Sequence, residues 1–239
     1  MRNKSSSIQN QVLESLESAT NYKLWLVSLV RDRLGTLPFE LGSGLGSYAL
    51  TILEENRDQI DNFILSEIDQ DAIQALKQTF SANRKVTVLD LRMPEKLKDQ
   101  FHTSFFCWNV LEHIENDLEA LKLASKICVP GAYVTIFVPA NQHLYSHFDK
   151  IVDHKRRYSK KSLRKLASDA NLVNIEIRSF NFLGYFNWLV FMKILRFVPK
   201  DGKLLSTLDK YLIPFSRRLE TFWHVPFGQS LVLSANVAD

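Results

Sequence analysis

The sequence predicts an α/β fold with a doubly wound parallel sheet covered by helices on both faces. Three observations predict it. A glycine-rich turn, Gly42-Ser43-Gly44-Leu45-Gly46, joins an apolar run to a helical pattern, the strand–turn–helix layout of a nucleotide-type cofactor site. Continuous apolar runs alternate with helical patterns along the chain, as strands buried on both faces require. Glu40, Glu67, Asp90 and Asn109 fall at the C-terminal ends of successive runs, and open α/β sheets bind ligands at that edge.

The length of 239 residues fits one domain over 1–239, ample to bury a core. Hydrophobic content of 46% and charged content of 23% are those of a soluble globular protein. The net charge of +4 permits anionic partners without requiring them. Basic residues cluster in one helix with no aromatic stacking platform, so nucleic acid is not an expected partner. Cys107 and Cys128 lie in apolar runs and read as buried free thiols of a reducing compartment. The polar start, 1–10, lacks an apolar h-region, so a cytoplasmic location is expected.

Taken in order, Ile8, Val12, Leu16, Ala19, Trp25 and Leu29 recur at helical spacing, with Asn21-Tyr22 a point of division. Residues 1–36 read as an N-terminal helical cap. Its aromatics, Tyr22 and Trp25, either cover the sheet or lie over the cofactor pocket. The first strand, 38–41, enters the glycine turn, whose backbone can approach a ligand with no Cβ in the way. The spacing is G-x-G-x-G with an acid ahead of it; Ser47 stands where a dinucleotide fingerprint has its third glycine. A helix runs from Ser47 to about Asn56. A second strand, 62–67, ends in Glu67, about 20 residues past the turn, where a doubly wound fold places a ribose-binding carboxylate. Asp69 and Asp71 suit the N-cap and first turn of a helix over 72–80. The third strand, 85–89, precedes Asp90. The fourth, 103–108, precedes Asn109-Val110-Leu111-Glu112-His113, and a helix follows over 115–127. Pro130-Gly131 reads as a turn before a fifth strand, 132–138. Residues 172–180 and 230–237 are the last two strands.

The ordered set resembles the class I S-adenosylmethionine-dependent methyltransferases. Its carriers are E-L-G-S-G-L-G at 40–46, Glu67, Asp90, N-V-L-E-H-I at 109–114 and V-P-G-A-Y-V-T-I-F-V-P at 129–139. The resemblance implies a mostly parallel, seven-stranded, Rossmann-like sheet whose last strand inserts antiparallel between the fifth and sixth. It implies S-adenosylmethionine as cofactor. Gly42, Ser43 and Gly44 would line its amino-acid portion, with Glu40 orienting that part of the site. Glu67, with Ile68 beside it, would bind the ribose diol, Asp90 and Leu91 would flank adenine, and Asn109 would lie by the methionine. Tyr22 would lie over the pocket. Ser104 and Ala132 depart from the family pattern at positions that do not touch the cofactor.

Residues 141–158 read as a loop loaded with His143, Tyr145, His147, Asp149, Asp153, His154, Arg156, Arg157 and Tyr158. The spacing of its histidines fits no zinc pattern, and no metal is expected. The D-H-x-R-R-Y run resembles a bacterial subgroup of these enzymes linked with glycan or lipid-linked sugar assembly. Tyr145, Arg156, Arg157 and Tyr158 are candidate acceptor-binding residues, since guanidinium groups pair with phosphate or carboxylate; the alternative is a solvated, basic helix start. Methylation of an oxygen also needs a proton acceptor, for which His147 and His154 are favoured, because imidazole titrates near neutral pH.

Residues 181–228 form an aromatic helical insertion before the last strand. The run 182–198 is too interrupted by Asn187, Lys193 and Arg196 for a membrane span and too apolar for a free surface helix. Further helix is expected on either side of a break near Pro214. A lid over an apolar acceptor pocket, a membrane-interface element and a homodimer surface all remain open. The expected function is methyl transfer, to oxygen, on a small-molecule acceptor that is anionic or lipid-linked. Peripheral contact at the inner face of the membrane goes with it. A non-catalytic S-adenosylmethionine-binding scaffold and an NAD(P)-dependent oxidoreductase are the alternatives, the second disfavoured by the glycine spacing.

Overall fold

The computed structural model describes residues 19–56, 58–91, 97, 101–196 and 202–239. The expected helical spacing of Ile8, Val12 and Leu16 lies outside them. Seven strands, β1 (Pro38–Leu41), β2 (Phe63–Glu67), β3 (Val86–Asp90), β4 (His102–Trp108), β5 (Cys128–Pro139), β6 (Leu172–Phe180) and β7 (Ser230–Val237), form one sheet. The order is β3-β2-β1-β4-β5-β7-β6. β1 to β5 are parallel, and β7 runs antiparallel to both β5 and β6. This is the mostly parallel, doubly wound sheet expected.

Alternation along each strand sends neighbours to opposite faces. Phe105 and Cys107 join one core with Phe39, Ile136 and Leu233. Phe106 and Trp108 join the other with Phe63, Leu65 and Phe137. Phe39 pairs with Phe105 in the β1–β4 ladder, and the two rings stack with centroids 5.6 Å apart. The first core is covered by α4 (Asp117–Ile127) and α6 (Lys160–Asp169), through Leu121, Ala124, Leu163 and Ala167. The second is covered by α1 (Thr20–Val27), α2 (Ser47–Asn56) and α3 (Gln70–Thr79). Asp69 caps α3 by accepting the Ala72 amide at 2.9 Å, as its position before the helix implied.

Three local expectations are corrected. Pro130-Gly131 is not a turn before β5 but lies within it, where the register with β4 shifts between His102 and Ser104. A bulge-like irregularity accommodates the missing proline amide. Residues 141–158 are not all loop: they contain a 3₁₀ turn, Gln142–Leu144, and α5 (His147–Ile151). Asp149 closes a capping box with Ser146 at the start of α5. Pro214 breaks nothing, since α8 (Gly202–Phe222) runs through it. Pro214 is exposed, while Asp209, Ile213 and Ser216 form the buried face. Water can therefore satisfy the carbonyl that lacks an amide partner.

Between β6 and β7 the chain forms α7 (Phe182–Asn187), a π-helical segment Trp188–Ile194, and α8. The two ends of this excursion meet. The Gln229 amide donates to the Asn181 carbonyl at 3.1 Å, and Asn181 Nδ2 donates to Gln229 Oε1 at 2.9 Å. Gly184 packs so tightly there that a Cβ would lie 2.3 Å from both side chains. At the far end, the Asp209 carboxylate accepts the backbone amides of Asn21 and Tyr22 at 3.0 and 2.8 Å, capping α1 from α8.

Candidate functional site

The glycine turn leaves β1 with Gly42, Gly44 and Gly46 all at positive φ. Two of them show different reasons for glycine. A Cβ on Gly46 would sit 2.7 Å from the Leu76 side chain, so that position is closed by packing. A Cβ on Gly44 would meet nothing within 4 Å, so its backbone faces open space while holding φ +53. The Gly44 amide donates to Glu67 Oε2 at 3.0 Å. The other Glu67 oxygen accepts the amides of Ile68 and Asp69 at 2.7 and 3.1 Å. The carboxylate is thereby fixed at the mouth of the turn. Ile68 beside it is 61% exposed, an apolar side chain left open at a sheet edge. The Leu91 amide donates to the Glu67 carbonyl at 3.0 Å, and Asp90 accepts from Gln70 at 3.1 Å.

Glu40 lies behind the turn, buried at the end of β1. Neither of its carboxylate oxygens makes a hydrogen bond, nor do the buried Ser43 Oγ and Trp108 Nε1. Burial pushes the carboxyl up to about 8, and Glu67 adds repulsion. Ser43 and Trp108 lie near enough to favour the charged form, though neither bonds it with good geometry. A cluster of unpartnered buried polar atoms beside an open glycine backbone suits a ligand with a cationic or donor group. The site so described fits the amino-acid end of S-adenosylmethionine on one side and a diol-bearing sugar on the other.

Asn109 follows β4 at φ +52 and donates its amide to the Phe137 carbonyl at 2.9 Å. Tyr22 packs edge-on against Phe137 and Phe180, with centroids 6.3 and 6.4 Å away. Burial pushes its phenol upward, with Tyr48 and Glu112 adding in the same direction. Tyr22 thus packs on the aromatic core beneath the cap, and the ring centroid of Trp25 lies 4.0 Å from that of Phe180.

The loaded segment after β5 closes at its base, where Tyr158 exchanges backbone bonds with Pro139 and Asn141. The candidate acceptor residues there separate into two kinds. Arg157 is buried: its Nε donates to Asp149 Oδ1 at 2.9 Å, Nη1 donates to the Ala140 carbonyl at 3.2 Å, and its plane lies over Trp188 at 4.4 Å. Tyr158 is buried and donates to Asp117 at 2.7 Å, and burial together with that bond pushes its phenol upward. Arg156 pairs with Asp117 at 2.9 Å and with the Glu115 carbonyl at 2.8 Å. These three side chains engage protein partners. Tyr145, whose hydroxyl donates to the His154 carbonyl at 2.6 Å, and His147 line an open cavity of about 600 Å³ with Gln142, Ser146, Lys150, Lys193 and Arg196.

His154 Nδ1 lies 2.8 Å from Asp149 Oδ1. Burial would raise the Asp149 carboxyl, but the bond with His154 and the charge of Arg157 outweigh it and hold it below its usual range. The insertion grips the same segment. Trp188 Nε1 donates to the Leu144 carbonyl at 3.1 Å, Lys193 to the Tyr145 carbonyl at 2.6 Å, and His143 shares a 2.9 Å hydrogen bond with Tyr185. Lys150, Lys193 and Arg196 were not singled out as site residues. Lys193 and Arg196 are neighbours in the insertion, Lys150 lies more than 40 positions earlier, and only the folded insertion brings them together.

No protein-family model matches the chain, and no curated protein matches it in sequence. Solved structures match it in fold. A SAM-dependent methyltransferase from Thermotoga maritima aligns with a TM-score of 0.60 at 16% identity, over 95% of this chain and 94% of that one. The CurJ carbon methyltransferase aligns at 0.56 and 14% identity, over 87% of this chain and 50% of that one. The Haemonchus contortus phosphoethanolamine N-methyltransferase 2, solved in complex with S-adenosyl-L-methionine, aligns at 0.59 and 12%, again over 87% and 50%. The chain spans half the length of the latter two. At these identities the likeness is one of fold, and the fold is that of the S-adenosylmethionine-dependent methyltransferases.

Proposed function

We propose that the protein binds S-adenosylmethionine and transfers its methyl group to an oxygen of an anionic, amphiphilic acceptor, small or lipid-linked. The observation that carries the proposal is the set of unpartnered buried polar atoms of Glu40, Ser43 and Trp108 beside the open Gly44 backbone, with Glu67 fixed opposite. In this reading Gly42, Ser43 and Gly44 receive the amino-acid portion, and Glu40 is its counter-charge. Glu67 accepts the ribose hydroxyls. Ile68 and Leu91, with Asp90, bracket adenine, and Asn109 and Tyr22 border the methionine. S-Adenosylmethionine would supply an electrophilic methyl on a sulfonium sulfur.

The chain's own task is then alignment and deprotonation. The acceptor oxygen would take the methyl as the carbon–sulfur bond broke, and a base of this chain would receive the acceptor's proton. His147 is assigned that role because it lines the cavity, whereas His154 is engaged by Asp149. The cavity gathers Lys150, Lys193 and Arg196 with no acid among its described lining residues, which suits a phosphate or carboxylate. Arg157 stands beside the cavity, its backbone amide donating to Gln142 Oε1 at 3.0 Å, while Tyr158 and Arg156 turn to Asp117. Val190, Phe191, Ile194 and Leu195 are exposed around Lys193 and Arg196. Among the described residues no helix is long and apolar enough to cross a membrane. We place this face at the inner surface of a membrane, as peripheral contact through 182–198, of which 197 and 198 lie outside the described residues.

The test supplies methyl-labelled S-adenosylmethionine and a bacterial lipid extract to the wild type, to Glu67→Ala and to Lys150→Ala. Label should enter the organic phase strongly with wild type, weakly with Lys150→Ala and least with Glu67→Ala. Failure of the wild type to bind the cofactor would end the reading. Binding without transfer to any extract would favour a scaffold.

A further inference from the structure

Glu112 is an acid the methyl-transfer reading leaves without a role. It is fully buried on the 3₁₀ turn Leu111–His113, three residues past Asn109, and neither carboxylate oxygen has a hydrogen-bond partner. Its Oε1 faces His154 Nε2 at 3.8 Å. Asp149 engages Nδ1, so Nε2 is the ring nitrogen left toward Glu112. At 3.8 Å the two atoms are too far apart to bond directly, but a cation between them could be shared by both. The third group is His113, whose ring packs edge-on against His154 with centroids 4.7 Å apart. One ligand atom from each of Glu112, His113 and His154 lies within 4.8 Å of the others. No other described group of three metal-capable side chains comes together in this way.

We infer that Glu112, His113 and His154 form a divalent-cation site of the two-histidine, one-carboxylate type. Bonds of about 2.0–2.2 Å place tetrahedral ligand atoms about 3.5 Å apart, so the three atoms must close by about an ångström. His113 can supply that movement, being exposed at the end of a short turn. The rest is already tied together, since the Lys155 amide donates to the Glu112 carbonyl at 2.7 Å and so links the segment after β5 to the turn after β4. Asp149 behind His154 is the outer carboxylate that orients a metal-binding imidazole. Arg157 makes its ion pair with Asp149, so its charge reaches Glu112 only through space and leaves both carboxylate oxygens without a hydrogen bond. Nitrogen and carboxylate donors in this number suit Zn²⁺ or a neighbouring first-row ion and leave a position open for water or an anionic oxygen. The site differs from the His143, His147 and His154 grouping that the sequence brings to mind. In the fold His143 bonds Tyr185 and His147 lines the cavity.

The inference stands apart from methyl transfer, so it is tested with the metal alone. The full chain, stripped with chelator, is titrated with Zn²⁺ by calorimetry without cofactor and with Co²⁺ by visible spectroscopy. One equivalent should bind with micromolar or tighter affinity, and Co²⁺ should give the ligand-field bands of a low-coordinate nitrogen–oxygen site. His113→Ala, at an exposed position, should weaken binding by more than the roughly 10–100-fold expected for Asp149→Asn, which alters only the outer carboxylate. Glu112→Gln should act like His113→Ala wherever circular dichroism shows it folded. Absence of saturable binding by the wild type, or equal affinity in wild type and His113→Ala, would overturn the inference.

Discussion

The backbone amide of Gly44 donates to the carboxylate of Glu67 at 3.0 Å, so the glycine turn after β1 and the end of β2 act as one unit. Removing Glu67 should disturb the cofactor more than the fold. Glu67→Ala is expected to weaken S-adenosylmethionine by about 5–150-fold, the equivalent of about 1–3 kcal/mol for a charged acceptor lost to a ligand. The melting temperature should fall little, because the amides released are near solvent. Calorimetry beside thermal denaturation checks both.

Gly44 and Gly46 should respond differently to the same methyl group. At Gly44 the added Cβ meets nothing but holds positive φ, at a cost of about 1–2 kcal/mol. Gly44→Ala should fold and fail to bind cofactor. Gly46→Ala drives a Cβ into Leu76 and Phe80 and should lower stability further, whatever it does to binding. Denaturant curves for the pair decide it.

Stability should depend on pH through Glu40. Its carboxyl is pushed up to about 8 in the fold, from an ordinary 4.5. Between those values the folded state holds a proton that the unfolded chain has released. Stability therefore falls as pH rises across that window and levels off above it. Glu112, also pushed up to about 8 by burial, acts in the same direction. Urea midpoints from pH 5 to pH 8.5 should decline, less steeply in Glu40→Gln. Binding of the cofactor's ammonium should in turn release a proton near neutrality, seen as a buffer-dependent binding enthalpy.

Asp149 is fully buried and serves His154, Arg157 and Ser146 at once. Asp149→Ala leaves Arg157 charged and unpaired and should cost about 3–5 kcal/mol. A loss below about 1 kcal/mol in chemical denaturation would contradict the pairing.

The exposed run around Lys193 should seek anionic lipid. Ile194 and Leu195 are 65% and 61% exposed. Co-sedimentation with phosphatidylglycerol vesicles should be strong for wild type and lost in Ile194→Ser/Leu195→Ser. Concentration-dependent self-association without vesicle binding would point to a homodimer instead.

The strand-end positions of Glu40, Glu67 and Asp90 were legible in the sequence because each acid ends an apolar run, and burial on both faces fixes where such a run stops. β6 and β7 stand at the expected residues for the same reason. The segment after β5 was less legible. Arg156 and Arg157 are adjacent and chemically alike, yet Arg157 points inward to Asp149 and Trp188 while Arg156 lies over Asp117. Local pattern holds no sign of that difference, because the partners come from α4, α5 and the insertion. Pro214 misled for a related reason: whether a proline breaks a helix depends on which side of it meets water. Glu112 gave a partial signal, an acid next to Val110 and Leu111, but His154 lies 42 positions further on.

The junction of Asn181 with Gln229 has a consequence for how this protein can change. Both ends of the excursion between β6 and β7 are held at one point on the sheet, so the intervening chain is a closed loop. The entropic cost of such a loop grows only with the logarithm of its length, by about 0.6 kcal/mol per doubling. Length can therefore change cheaply between the anchoring contacts, those of Asp209 and Ile213 with the second core and of Trp188 and Lys193 with the segment after β5. A graft between Asn181 and Gln229 that keeps those contacts is the natural unit for re-engineering the excursion with the sheet and glycine turn left intact.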